Sequence, residues 1–200
     1  SHRTYFVQIA YPTTNFGSDF PMLFTTLLGN DASTSAQVKL VDLQLPESFI
    51  AGFKGPKYGI EGIRKLTGSS SGMPLLLNMI KPCTGLTPEE GARIFYDVAL
   101  GGIDFIKDDE LLGDPDFCRA GKRAKAYLKA AKAAYEKTGT YTTYICNITS
   151  SSNKITDTLK SVIDAGIRAV MMCFSTVGYS TFQYISESTD VLIMGHYAGS

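Results

Sequence analysis

The sequence carries no excess of charge of either sign: 19 lysines and arginines stand against 19 aspartates and glutamates. No basic stripe stands out, which argues against nucleic acid as a partner, because such surfaces need clustered cations to neutralise phosphates. No apolar run reaches the roughly 18–20 residues a membrane span needs, so no membrane association is expected. The opening Ser1-His2-Arg3-Thr4-Tyr5 lacks the layout of a signal peptide, and a cytoplasmic location is the expectation. Cysteine is scarce: Cys83, Cys118, Cys146 and Cys173 occur, with no CxxC spacing. Cys146 and Cys173 lie in apolar, strand-like runs, so buried free thiols in a reducing compartment are expected. Asn147-Ile148-Thr149 matches a glycosylation sequon. It falls within an expected buried strand and reads as a chance match.

What is present is an ordinary globular composition, 44% apolar and 19% charged, over 200 residues. That length supports one sizeable core or one and a half small ones. Residues 5–11 and 38–45 alternate apolar and polar, the pattern of strands. Residues 20–28 have helical spacing, with Asp19 as N-cap and Gly29 as stop. Pro46-Glu47-Ser48 opens a short helix, and 60–66 forms another. Gly68-Ser69-Ser70-Ser71-Gly72 is the candidate domain edge, placing 1–68 in a first domain and 69–200 in a second, although its composition equally suits a surface loop. After it the rhythm becomes strand and helix in turn: strands at 75–80, 103–106, 142–148, 169–174 and 191–194, with helices at 87–100, 117–137, 154–165 and 179–186 between them. Such alternation means a parallel sheet covered by helices. About five strands could belong to an open doubly wound sheet or to part of an eight-stranded barrel, and their count does not decide. The absence of a GxGxxG turn weighs against dinucleotide binding.

The stretch that organises the chain is Gly101-Gly102-Ile103-Asp104-Phe105-Ile106-Lys107-Asp108-Asp109-Glu110. A short apolar strand runs into four charged residues. Alternation sends Lys107 and Asp109 to one side and Asp108 to the other, and Glu110 can swing to join the first pair. A lysine and two carboxylates then converge at a strand's C-terminal end, where parallel α/β folds place their chemistry. For the chemistry at that end, a change at Asp108 is expected to matter far less than one at Lys107, because Asp108 points to the opposite side of the strand. In isolation the run also reads as a solvated loop of mixed charge.

Gly55-Pro56-Lys57-Tyr58-Gly59-Ile60-Glu61-Gly62, Ile80-Lys81-Pro82 with Gly85-Leu86, and the lysine-acid block occur in the order and spacing of the RuBisCO large chain. The chain resembles that superfamily over nearly all its length. The resemblance implies part of an α+β N-terminal domain followed by a partial TIM (β/α)8 barrel, about five strands of which are present. It implies that carbon dioxide carbamylates Lys107, and that Lys107, Asp109 and Glu110 hold Mg2+. The chemistry is coherent. A free lysine is a cation and no ligand, whereas a carbamate offers the anionic oxygen magnesium prefers. By the same resemblance Lys81 is the catalytic lysine after the first barrel strand, and His196 contacts substrate at the end of the fifth. Asn30 is lent to a neighbouring subunit, so a homodimer or higher homo-oligomer is expected.

The departures narrow the resemblance. Carboxylases read Lys-Pro-Lys where this chain has Lys81-Pro82-Cys83, and His-x-His-Arg where it has Met194-Gly195-His196-Tyr197. Arginine is a fixed bidentate phosphate ligand, and tyrosine does not replace its charge. The chain is most similar to the RuBisCO-like proteins, and Asn15-Phe16-Gly17 and Asp109-Glu110-Leu111-Leu112 resemble that branch too. The implied activity is a Mg-dependent enolase or isomerase acting on a phosphorylated keto sugar, such as those of methionine salvage. The alternatives are a carboxylase or lyase with an altered site, and a non-catalytic scaffold or regulator. The intact Lys107, Asp109 and Glu110 count against the last.

Overall fold

The computed structural model describes residues 3–29, 34, 38–69 and 72–199. The chain divides into two compact units, Ser1–Gly55 and Pro56–Ser200.

In the first unit, helix α1 (Phe20–Leu27) starts where the sequence places it. The Asp19 carboxylate accepts the Met22 N–H at 2.8 Å, satisfying one of the donors a helix start leaves unpaired. A short helix, α2 (Glu47–Ile50), brings Phe49 against Phe16 and Leu23. Phe20 and Phe53 close this small aromatic core, with ring centroids 4.6 Å apart. Residues 5–11 and 38–45 carry neither helix nor strand, and Tyr5, Phe6, Val7 and Ile9 are exposed. A period-two pattern names a face to be buried. A ladder also needs a neighbour at the right register, which the pattern does not name.

Helix α3 (Gly59–Thr67) lies in the second unit, so the division falls at Gly55 rather than at the serine-rich stretch. The reason is burial: Ile63 and Leu66 pack on the sheet of that unit. Its strands are β1 (Leu77–Met79), β2 (Phe105–Lys107), β3 (Thr143–Asn147), β4 (Ala169–Cys173) and β5 (Leu192–His196), all parallel and adjacent in chain order. A doubly wound sheet reverses its order at a switch point. Unbroken consecutive order is that of a TIM barrel, and this unit is its five-stranded part.

Helices α4 (Pro88–Ala99), α5 (Ala120–Thr138), α6 (Ser152–Asp164), α7 (Phe174–Val177) and α8 (Tyr179–Ser188) connect the strands. A capping box starts α4, with Thr87 and Glu90 each bonding the other's backbone N–H and Pro88 in the first turn. Ile106, Tyr144, Cys146, Val170 and Met172 face the helices in the main core, while Phe105, Ile145, Ala169, Met171 and Leu192 face the other way, toward α3. Gly91 lets α4 approach α5, since a Cβ there would lie 2.1 Å from the Tyr127 hydroxyl oxygen. No described helix is long and apolar enough to cross a membrane.

The four cysteines are free. Cys118, Cys146 and Cys173 are buried, and Cys83 is partly exposed. Burial, then the nearby Asp108 charge, pushes the Cys146 thiol up to about 12, and burial also raises Cys118. Thiolates are the reactive species, so alkylation of the native protein at mildly alkaline pH should modify Cys83 and spare Cys118 and Cys146. Peptide mass spectrometry reads this directly, and rapid native labelling of Cys146 would contradict the packing.

Candidate active site

The site is built by strand alternation through β2 and the residues after it. Phe105 faces the inner cluster and Ile106 the helices. Lys107 and Asp109 therefore continue the inner side, and Asp108 the outer one.

The outer side is not solvent. Asp108 and Arg123 form an ion pair at 3.0 Å with both side chains 0% exposed. The Tyr144 hydroxyl donates to Asp108 at 2.7 Å and accepts from Arg123 Nε at 3.1 Å. The Asn147 N–H donates to Asp108 at 2.8 Å. Arg123 spends its remaining donors on the carbonyls of Cys118 and Gly113, at 2.6 and 2.9 Å. Asp108 faces away from Lys107, as expected, and its side chain is enclosed in the protein, where it serves the packing of this outer side. Burial, then the Asp108 charge, holds the Tyr144 phenol well above its ordinary value.

On the inner side, Lys107 is 6% exposed. Its Nζ donates to the Asp108 carbonyl at 3.1 Å and to Met79 Sδ at 3.2 Å, and lies 3.9 Å from a Glu110 carboxylate oxygen. Lys81, just past β1, forms an ion pair with Asp109. The other Asp109 oxygen accepts the Leu111 N–H at 2.8 Å. Burial by itself would raise the Asp109 carboxyl. The bonds from Lys81 and Leu111, with the charges of Lys81 and Lys107, outweigh it and hold the group below its usual range. The bond to Asp109 in turn raises Lys81. At the end of β5, His196 Nδ1 accepts the Ala198 N–H at 3.1 Å. The ring proton therefore sits on Nε2, which faces Glu110 at 3.8 Å.

Lys81, Lys107, Asp109, Glu110 and His196 thus meet at the C-terminal ends of β1, β2 and β5. Asn30 lies outside the described residues. Asp109 and Glu110 are only two carboxylates, and among the described residues no three His, Cys, Asp or Glu side chains could hold a metal ion. The third side chain is Lys107, which repels a cation as it stands and becomes an oxygen ligand only as a carbamate. The donor set fits magnesium in that form. In the sequence Arg123 looks like the other cations of a lysine-rich helix, and Asn147 stands out only for its sequon. The available signal was a polar residue in an apolar strand, since buried polar groups have partners.

Residues 59–200 match the family model described as ribulose bisphosphate carboxylase large chain, catalytic domain. The chain is 40% identical, over 97% of its length and 44% of the relative's, to a ribulose bisphosphate carboxylase-like protein of Archaeoglobus fulgidus. It is 36% identical, over 96% of its length and 47% of the relative's, to the 3-oxo-isoapionate-4-phosphate transcarboxylase/hydrolase of Xanthobacter autotrophicus. It superposes with a TM-score of 0.88 on a rubisco-like protein (MtnW) from Alicyclobacillus acidocaldarius, at 30% identity, covering 94% of this chain and 48% of that one. The chain spans less than half the length of these proteins.

Removing one partner of a buried ion pair typically costs about 3–5 kcal/mol. Asp108→Asn should lower stability by that amount, read as a shifted midpoint in denaturant unfolding. A midpoint equal to wild type would contradict the network.

Proposed function

The chain belongs to the ribulose bisphosphate carboxylase large-chain family, and from that premise we propose that it is a RuBisCO-like enzyme that enolises or isomerises a phosphorylated keto sugar at a magnesium site on carbamylated Lys107, Asp109 and Glu110. The observation that carries this reading is the near-buried Lys107 ammonium beside two carboxylates that lack a third oxygen ligand. Bound magnesium would supply the positive charge that draws electrons from a substrate carbonyl and makes the adjacent C–H acidic.

The chain's own residues would do the rest. Lys81 has a half-exposed side chain, so it can reach a substrate. While it donates to Asp109 it keeps its proton. Leaving that contact is the condition for taking a proton from the carbon beside the carbonyl. His196 presents an Nε2–H that can donate to a substrate oxygen. Asn30 would act across a subunit boundary, which makes the protein a homodimer or larger. Sedimentation of the full chain tests that state, and a fully active monomer would remove the role of Asn30.

Cys83 and Tyr197 weigh against the carboxylase alternative. Tyr197 is exposed and brings a hydroxyl where an arginine would bring a fixed charge, and losing one charged pair to a phosphate costs about 2–5 kcal/mol. A monophosphate avoids that loss, and enolisation needs no pocket for a carbon dioxide substrate. One relative, the 3-oxo-isoapionate-4-phosphate transcarboxylase/hydrolase of Xanthobacter autotrophicus, is named for an activity other than ribulose bisphosphate carboxylation. Metabolites of methionine salvage and related sugar-acid phosphates are the substrate class this reading favours.

Wild-type protein should bind magnesium more tightly in bicarbonate and exchange an α-proton of a ketose monophosphate with deuterium, and Lys107→Ala should lose both. Calorimetry and NMR read the two effects. Unchanged magnesium affinity in Lys107→Ala would refute the site. Labelled carbon dioxide appearing in phosphoglycerate at a carboxylase-like rate would refute the reaction.

A further inference from the structure

We propose that Asn147 is a positioning residue for the metal-ligand loop, setting where Asp109 and Glu110 stand. The inference rests on the magnesium site proposed above and adds to it a residue that does not itself touch the metal.

Asn147 ends β3 and is 0% exposed. Its two amide N–H groups are both spent on consecutive carbonyls of the neighbouring segment, Asp109 at 3.1 Å and Glu110 at 3.0 Å. Its Oδ1 accepts the Thr149 N–H at 2.9 Å. This arrangement admits one orientation of the amide, because a flipped group would set oxygen against two carbonyls and nitrogen against a donor. Its backbone N–H donates to the Asp108 carboxylate at 2.8 Å. One residue therefore holds all three acidic positions of the block, one by its side chain and two by their backbone.

The need for such a clamp follows from where the strand stops. Lys107 is the last residue of β2, so the carbonyls of Asp109 and Glu110 have passed the end of the ladder with β3. The Asn147 amide takes the ladder's place there. Among the described residues the Glu110 carboxylate meets Lys107 at 3.9 Å and His196 at 3.8 Å, both long contacts. Its placement is therefore set by its backbone. Magnesium tolerates little deviation from octahedral geometry, so loosening this backbone should be read in metal affinity. The plainer account is a buried strand-end asparagine that serves stability alone, and the two accounts differ in what they do to the metal.

The test compares Asn147→Ala with Thr142→Val in the full chain. Thr142 immediately precedes the other end of β3, is 1% exposed, and donates its hydroxyl to the Ile103 carbonyl at 2.7 Å. Its loss removes a buried bond far from the loop. Magnesium affinity is read by calorimetry in bicarbonate, the carbamate by the NMR signal of isotope-labelled carbon dioxide, and stability by thermal melting without either. Asn147→Ala should weaken magnesium binding about 10–100-fold and diminish the carbamate signal at a given magnesium concentration. Thr142→Val should lose melting temperature but keep wild-type affinity and signal. Wild-type affinity in Asn147→Ala, or equal losses in both variants, would overturn the proposal. If Asn147→Ala does not fold, Asn147→Ser carries the same comparison, its hydroxyl being too short to reach both carbonyls. A wild-type protein with no carbon-dioxide-dependent binding would remove the metal site and this inference with it, whereas binding that survives the loss of Asn147 removes the inference alone.

Discussion

The buried ion pair of Asp108 and Arg123 is the contact on which the second unit depends. Taking both charges out of water costs several kcal/mol per ion, and their attraction offsets this only when the remaining donors and acceptors are satisfied. Here they are. Arg123 bonds Asp108, Tyr144 and two carbonyls, and Asp108 also takes the Tyr144 hydroxyl and the Asn147 N–H. Among the described residues no buried side-chain nitrogen or oxygen lacks a partner. The pair ties α5 to the ends of β2 and β3 and to the loop that joins them. A Cβ at Gly113 in that loop would lie 2.8 Å from the Thr149 carbonyl oxygen, so the loop's close approach to the segment after β3 requires glycine there. Burial, and then the fixed charge of Asp108, also raise the Tyr144 phenol and the Cys146 thiol, since both disfavour a second anion there.

With the outer side of β2 locked, the inner side is left as the variable one. Two ammonium groups, Lys81 and Lys107, stand against two carboxylates, Asp109 and Glu110. The arrangement is neutral and closed to a cation. Carbamylation of Lys107 would turn a positive charge into a negative one and leave two uncompensated negative charges, which a divalent ion balances. The same step would supply the missing oxygen ligand. In the proposed site charge and coordination would therefore change together, on a side chain that is almost fully enclosed and adjoins the buried network one residue away.

Local signals were enough to place most of the elements. Asp19 and the Thr87–Glu90 capping box start helices where expected because a cap is a contact between residues three apart. The apolar runs became strands because both faces of a parallel sheet are buried. The alternation at 5–11 and 38–45 did not become a ladder, for pairing is a property of two segments and not of one. Strand count left open sheet and barrel undecided, and the consecutive order β1 to β5 settled the barrel.

In the site, period-two alternation alone determined that Lys107 and Asp109 share a side and that Asp108 opposes them, because successive strand residues point oppositely whatever surrounds them. That the run would serve a metal through a modified lysine came from the family resemblance, the residue types adding only that an unmodified lysine is no metal ligand. What lay on each side was decided by tertiary structure. Arg123 lies fifteen residues past Asp108, and Tyr144 thirty-six, so no local pattern joins them. Nor did anything in the order of residues mark Asn147 as bonded to two carbonyls beyond the end of the neighbouring strand. Spacing along one strand is written in the chain, while the partner across a sheet or beneath a helix exists only once the elements have packed.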